Sequence, residues 1–411
     1  MLYSLFESQH AALAPWRVAA GLSRSWFGHP LSPWAQGPLA KEIVAGSDLF
    51  LRLTQRYPKP AWNLDAVEVG GTARSVRTDV PLALPFCELR RFFRPDLEGR
   101  DVPRVLVVAP LSGHHATLLR DTVRALLAEY EVWITDWIDA REVPLAAGAF
   151  HLDDYVDYMR QLVRRLGSDA RRPLHVMSVC QPTVPVLAAL SLMAAAGEPA
   201  MPRTLVLMGG PIDARRSPTA VNNLATKKPL SWFENNLIDR VPQRYPGFMR
   251  RVYPGFLQHL GFVAMNPDRH MNAHWDYYNH LLVGDGESAE AHRRFYDEYN
   301  AVLDMPAEYY LDTVKTVFQD FALPQGKMTV HGETVQPQAI RDTALLSIEG
   351  ELDDISGSGQ TEAAHTLCVN VPRARRAHYT APGVGHYGIF SGRRWREMIY
   401  PRIREFIRAH G

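Results

Sequence analysis

Short apolar runs recur from the middle of the chain to its end and predict strands that are buried on both faces. Each run spans four to six residues, and most are flanked by Pro, Gly or charged residues. Continuous runs of this kind are typical of parallel strands, because helices cover both faces of a parallel sheet. The runs are 105–110, 132–135, 174–177, 205–208 and 345–348.

The segments between these runs have helical spacing. In 153–166 the apolar residues fall on one stripe, and Asp153 and Asp154 stand at its start. Acidic residues are favourable there, since the first N–H groups of a helix are unpaired and carry partial positive charge. Strands that alternate with helices predict an α/β protein with a doubly wound, mostly parallel sheet. The apolar stripe consists of Tyr155, Met159, Leu162, Val163 and Leu166.

The alternation stops between residues 213 and 338, where Asn, Pro and aromatic residues are frequent. This change predicts a large helical cap inserted between two parts of one core, 101–212 and 339–411. Residues 1–100 show helical spacing only in patches and are rich in Pro and Trp. They are predicted to form an N-terminal extension packed on the core.

The composition is that of a folded protein without an excess of either charge. Of 411 residues, 46% are apolar and 22% are charged, and the formal net charge is +1. This balance excludes global disorder and gives no reason to expect nucleic acid as a partner.

The three cysteines, Cys87, Cys180 and Cys368, are too few for a disulfide framework and lack the spacing of metal ligands. The first residues carry no basic segment ahead of their apolar positions, and no run of about 18 uncharged apolar residues occurs. We therefore expect a cytoplasmic protein with no secretory signal, no membrane span, no metal and no bound cofactor.

Cys180 stands where a nucleophile is best exposed in a parallel sheet. It follows the apolar run 174–177 closely and precedes the helix-compatible segment 184–190. A tight turn from strand to helix lifts its central residue above the sheet and places it near the positive end of the helix. Such turns usually carry Gly two positions before and after the nucleophile, where this chain has Ser178 and Pro182. Ser is small, and Pro in a first helical turn loses no hydrogen bond. The alternative is a buried structural cysteine.

An acid and a histidine follow Cys180 in the order found in α/β-hydrolases. Asp353 comes after the run 345–348, and His386 lies in a Gly-rich segment further on. The order nucleophile, acid, histidine is that of the α/β-hydrolase triad, in which the imidazole takes the proton of the nucleophile and the carboxylate orients the imidazole. The sequence therefore predicts an α/β-hydrolase fold with a catalytic triad of Cys180, Asp353 and His386. Each residue taken singly also fits a structural or solvated role.

Two backbone N–H groups are predicted to form the oxyanion hole. One is that of Gln181, directly after the nucleophile, and the other that of Leu111, in the loop after the first run. Pro110 has no N–H and cannot serve. His114 and His115 follow in the same loop. Adjacent side chains rarely converge on one ion, so we interpret them as loop histidines that line the entrance or pack under it and predict no metal site.

Several long segments resemble the intracellular poly(3-hydroxybutyrate) depolymerases, and the similarity extends over nearly the whole chain. The resemblance implies an α/β-hydrolase fold, the same Cys180, Asp353 and His386 triad, and hydrolysis of a stored polyester at the surface of cytoplasmic granules. The segments are SVCQP at 178–182, APLSGHHATLLRDTV at 109–123, TDWIDAREVPL at 135–145, FHLDDYVDYM at 150–159, MGGPIDARRSPTAVN at 208–222 and GVGHYGIFSGRRWR at 383–396.

Polyhydroxyalkanoate synthases are the nearest alternative, since 150–155 resembles them as well and they share a cysteine nucleophile. They are expected to carry Gly two positions before and two after the nucleophile, in the turn called the nucleophile elbow, and His directly after the acid. This chain has Ser178, Pro182 and Asp354 at these positions. A granule-associated scaffold without activity and an esterase for small soluble esters are further alternatives. Water or coenzyme A as the second nucleophile, and a homo-oligomer as the assembly, are left open.

The aromatic residues of the predicted cap suit an apolar polyester, which offers only ester carbonyls as polar groups. For any one of them, a place in the core of the cap is the simpler expectation. They are Trp232, Phe233, Tyr245, Phe248, Tyr253, Phe256, Phe262, Trp275, Tyr277 and Tyr278.

Overall fold

The computed structural model describes residues 2–411 and contains an eight-stranded sheet. All five apolar runs lie in its strands, so the strand predictions are confirmed. The strands are β1 (Arg77–Leu84), β2 (Cys87–Phe93), β3 (Arg104–Val108), β4 (Glu131–Trp137), β5 (Leu174–Val179), β6 (Thr204–Met208), β7 (Ala344–Gly350) and β8 (Arg376–Ala381).

The order of the strands across the sheet is β1-β2-β4-β3-β5-β6-β7-β8. Strand β2 runs antiparallel to both of its neighbours. The six strands β3 to β8 are parallel to one another. This order, with its single antiparallel strand, is the α/β-hydrolase fold. The predicted fold class is confirmed.

The first two strands lie in the segment predicted to be an extension packed on the core. In the structure, β2 pairs with β4 and β1 pairs with β2, so both strands are part of the sheet itself. Strand β1 is largely exposed, and β2 alternates between more and less buried positions. A search for continuous apolar runs finds strands covered on both faces, and edge strands lack that pattern because one face meets solvent.

Helices surround the sheet and form the inserted cap. They are α1 (Leu2–Ala12), α2 (Ala14–Gly28), α3 (Ala40–Thr54), α4 (Arg120–Leu126), α5 (Leu152–Gly167), α6 (Thr183–Ala195), α7 (Ala220–Lys227), α8 (Leu230–Leu237), α9 (Gly255–Met265), α10 (Pro267–Val283), α11 (Gly286–Tyr299), α12 (Ala307–Thr313), α13 (Ala364–Leu367), α14 (Gly392–Arg394) and α15 (Tyr400–His410).

Helices α5 and α6 follow the predicted patterns and pack beside each other against the sheet. The whole apolar stripe of α5 is buried, and its polar face remains toward solvent. Helix α6 is buried along most of its length, so it shows no polar face at all. Burial of these side chains stabilises the helix that begins just after Cys180, because each fully buried Leu or Val contributes about 1.5–3 kcal/mol.

Helices α7–α12 lie between β6 and β7 and form the cap. Helix α10 packs against α3 of the N-terminal segment, and α1 is held to the cap where Tyr3 donates from its hydroxyl to Asp304. Among the cap aromatics, Phe233 and Tyr277 are buried, whereas Phe248 and Trp275 are exposed. Among residues 2–411, no helix combines the length and apolar character needed to cross a membrane.

Candidate active site

Cys180 occupies a strained turn between β5 and α6. Its φ angle is 68°, in the left-handed region that a non-glycine residue seldom adopts. The turn is held because the Cys180 N–H donates to the carbonyl of Met208 at 2.7 Å, and the Thr183 N–H donates back to the Cys180 carbonyl at 3.1 Å. The thiol is partly exposed, whereas Cys87 and Cys368 are buried. The strain therefore presents this one thiol above the carboxyl end of the sheet.

Two glycines after β6 make room for this turn. A Cβ atom on Gly210 would overlap the Thr183 side chain and the Cys180 carbonyl oxygen. A Cβ atom on Gly209 would lie 2.5 Å from Ile389 Cδ1 and 3.3 Å from Asp353 Oδ2. A nucleophile elbow usually gains this space from its own glycines. Here Gly209 and Gly210, directly after the neighbouring strand β6, provide it.

Replacing Gly210 with alanine is expected to lower the free energy of unfolding by about 1–3 kcal/mol, because a backbone carbonyl has to move to admit the methyl group. Activity on a soluble ester should fall as well, since the carbonyl that moves belongs to Cys180. Urea unfolding and an ester assay check both effects. Gly261→Ala is the matched control, because no atom lies within 4 Å of its Cβ position in helix α9. Alanine there should be neutral or stabilising by up to about 1 kcal/mol. Equal effects at both positions would contradict this interpretation.

His386 links the acid to the thiol. Its Nδ1 lies 2.8 Å from Asp353 Oδ2, and the Cys180 side chain is close enough to help raise the pKa of the same ring. The side chains of His386 and Asp353 are 4% and 0% exposed, so water cannot replace either partner. The three predicted residues, distant in the chain, therefore meet at one point above the sheet in the relation that a triad requires.

Electrostatics at His386 favour its protonated form. Burial of the ring disfavours the cation, but the charges of Asp353 and of an ionised Cys180 outweigh this effect and raise the pKa of His386 well above its ordinary value. The site therefore favours a protonated imidazole beside the Cys180 side chain.

Asp353 is held in place by the loop that follows β7. Its Oδ1 accepts the backbone N–H groups of Ile355 and Ser356 at 2.9 and 2.8 Å, which leaves Oδ2 for the histidine. Below it, the buried Glu349 accepts three backbone N–H groups of the same loop, those of Gly359, Thr361 and Glu362. Asp354, the neighbouring acid, is exposed and makes no contact with His386 that would compete. The role of Glu349 was not predicted, because an acid directly after an apolar run gives no sign of its partners.

The two N–H groups predicted to form the oxyanion hole make no other hydrogen bond in the described part of the chain. Neither the N–H of Gln181 nor that of Leu111 donates to an acceptor within residues 2–411. The N–H of Cys180 is already bonded to Met208 and is not free for this purpose. The turn before Leu111 is fixed, since the Trp137 indole donates to the Ala109 carbonyl at 2.8 Å. Two free donors near a nucleophile are what an oxyanion hole needs.

Comparison with protein families identifies the second half of the chain. Residues 209–411, which carry Asp353 and His386, match the family described as PHB de-polymerase C-terminus. The match and the fold together support a carboxylic ester hydrolase. A search of the curated proteins finds no match.

Solved structures similar to this chain include lipases of low sequence identity. A putative lipase from Acinetobacter baumannii is 12% identical, with 81% of this chain and 93% of that chain covered and a TM-score of 0.42. A soluble variant of monoglyceride lipase from Saccharomyces cerevisiae, bound to a substrate analogue, is 11% identical, with 86% and 99% covered and a TM-score of 0.47. The monoacylglycerol lipase of Paleococcus ferrophilus is 11% identical, with 75% and 96% covered and a TM-score of 0.43.

His114 packs beneath the cap, and His115 next to it is also buried. His114 is buried, stacks on Phe262 with ring centroids 5.0 Å apart and lies 3.1 Å from the Tyr299 carbonyl. Burial lowers the pKa of His114 to about 3 and that of His115 to about 4, so both are neutral. Within residues 2–411, no group of three or more His, Cys, Asp or Glu side chains is arranged to hold a metal ion.

Three phenols surround the thiol and were not predicted. Burial, with a smaller contribution from the charge of Cys180, raises the pKa values of Tyr155, Tyr309 and Tyr387 well above the ordinary value. Tyr155 comes from α5, Tyr309 from the cap and Tyr387 from the loop after β8. Neutral aromatic walls of this kind suit an uncharged ester. Of the three, only Tyr387 adjoins a predicted site residue in the sequence.

Proposed function

We propose that this protein is a poly(3-hydroxybutyrate) depolymerase that cleaves ester bonds through Cys180, His386 and Asp353. The observation that carries the proposal is the buried His386 ring, which is bonded to Asp353 and lies close to Cys180, in a chain whose residues 209–411 match the PHB de-polymerase C-terminus family. The neutral phenols around the thiol fit a polymer whose polar groups are ester carbonyls alone.

The first step forms an acyl thioester. The Cys180 thiolate, with its proton on His386, attacks the ester carbonyl carbon and pushes the carbonyl electrons onto oxygen. The N–H groups of Gln181 and Leu111 stabilise that oxyanion, and each such donor is worth about 3–4 kcal/mol in comparable enzymes. The tetrahedral intermediate collapses when the carbon–oxygen bond breaks and the alkoxide takes the proton of His386.

The second step releases the acyl group. Water is the proposed acceptor: His386 removes its proton, the oxygen attacks the thioester, and the Cys180 thiolate leaves. The product is then 3-hydroxybutyrate or a short oligomer of it. The thiol of coenzyme A would exchange with the thioester by the same route and release a coenzyme A ester instead.

The proposed setting is the surface of a polyester granule in the cytoplasm. A synthase-like acyltransferase would use the same triad in the direction of chain growth, and a scaffold would bind the granule without reaction. Ser178 and Pro182, and the free space supplied by Gly210, distinguish this elbow from one built on its own glycines. That difference favours the depolymerase over the synthase.

Release of acid from amorphous poly(3-hydroxybutyrate) granules tests the proposal. Purified wild-type protein should release 3-hydroxybutyrate or oligomers, with coenzyme A absent and with it present, and chromatography should identify the products. A requirement for coenzyme A, with its ester as product, would replace water as the acceptor. Binding to granules with no release in either condition would overturn the proposal in favour of the scaffold, and incorporation of added monomer thioester into polymer would favour the synthase.

A further inference from the structure

A cleft of about 500 Å³ opens beside His386, and arginine side chains line it. Arg269 comes from the start of α10 in the cap, and Arg393 and Arg394 come from the segment after β8. Asp354 is the one acid among the lining residues of this cleft. Its volume is within the range of small-ligand sites, roughly 300–1,000 Å³. The cleft thus joins the catalytic histidine to a region of net positive charge.

The three arginines differ in how far they are already engaged. Arg394 donates to the carbonyls of Pro382 and Gly383 at 3.1 and 2.5 Å, so it holds the loop that leads to His386. Arg393 lies 3.8 Å from Glu397 on the outer surface. Arg269 makes no ion pair or hydrogen bond with any group within residues 2–411, and it is exposed at the cleft. Its five donors are available to a ligand.

The chemistry of the ester decides which end of the polymer meets this cleft. His386 protonates the leaving alkoxide, so the leaving fragment departs on the histidine side of the site. In a polyester of 3-hydroxy acids, the acyl fragment retains the hydroxyl end of the chain. The leaving fragment carries the carboxyl end. A chain cut near its carboxyl end therefore directs a carboxylate toward the side where Arg269 lies.

We propose that this cleft binds the terminal carboxylate of the polyester, with Arg269 as its main contact, so that the protein prefers bonds near the carboxyl end of the chain. The inference rests on the proposed function and adds a direction and a specificity to it. A guanidinium binds a carboxylate through two parallel hydrogen bonds, which a neutral ester end cannot accept with the same strength. Asp354 lies in the same cleft and reduces its positive charge without cancelling it.

A linear trimer of 3-hydroxybutyrate tests this, supplied once as the free acid and once as its methyl ester with the hydroxyl end unchanged. The wild type should cleave the free acid with a kcat/KM at least about 10-fold higher, as expected for loss of one charge-assisted pair. In Arg269→Gln the preference should fall to near one through the rate on the acid, while the rate on the methyl ester stays the same. Arg269→Lys retains the charge and should retain part of the preference.

Arg341→Gln is the matched control. This exposed arginine lies just before β7, at the amino end of the strands, whereas the cleft lies at their carboxyl end. It should keep the full preference of the wild type. Equal rates on acid and ester by the wild type would overturn the inference while the depolymerase activity stands, as would a preference unchanged in Arg269→Gln. Failure of the wild type on both trimers and on granules would overturn the proposed function itself.

Discussion

Replacing Cys180 with alanine is expected to lower the rate of ester hydrolysis by about 10⁴-fold or more, because no other group at the site can form the acyl intermediate. The Ala side chain removes the thiol and leaves the elbow backbone in place, so binding of polymer should change little. Steady-state hydrolysis of a soluble short-chain ester measures the loss. Mass spectrometry of wild-type protein quenched during turnover should show the acyl adduct on the peptide that contains Cys180.

Cys368→Ala is the matched control for this prediction. Cys368 is buried away from the site, and burial raises the pKa of its thiol to about 12, so it stays protonated and unreactive. The control should keep its activity and lose only some stability, about 1 kcal/mol or more for a small buried side chain. An acyl adduct on Cys368, or full activity in Cys180→Ala, would show that the nucleophile has been misidentified.

Replacing Asp353 with asparagine is expected to lower activity by about 10³- to 10⁴-fold, although the side chain keeps its shape. An amide at this position can still accept the N–H groups of Ile355 and Ser356, but it presents a donor or a neutral oxygen to His386. The imidazole then loses both its fixed tautomer and the charge that supports its protonated form. The ester assay and thermal melting of the variant separate this effect from loss of fold.

The pH dependence of Asp353→Asn gives a second readout with a definite sign. Asp353 raises the pKa of His386, so its removal lowers that pKa. Protonation of the leaving group requires the imidazolium, and the fall of the acylation rate on the alkaline side should therefore begin at a lower pH than in the wild type. Asp320→Asn, an exposed acid in the cap segment, should leave both rate and profile as they are. An unshifted profile in Asp353→Asn would assign the acid's role to another carboxylate.

The central strands and the elbow were predictable because their causes are local. The run 174–177 has to be a buried strand, and the helix after it begins at Thr183, so Cys180 lies on the turn between them. Strands β1 and β2 were not recognised, because the edge strand β1 and its neighbour β2 carry charged residues at their less buried positions and lack a continuous apolar run. The same segment therefore looked like an extension, although it completes the sheet.

The sequence by itself determined the five central strands, the turn that exposes Cys180, and the chain order of thiol, acid and histidine. Only the tertiary structure decided three contacts. Gly210 leaves room for the turn at Cys180, Glu349 accepts hydrogen bonds from the loop that carries Asp353, and Arg269 of the cap lines the same cleft as His386. These contacts join residues that are far apart in the chain. Neither local spacing nor residue type encodes them, because they depend on how the cap settles on the sheet.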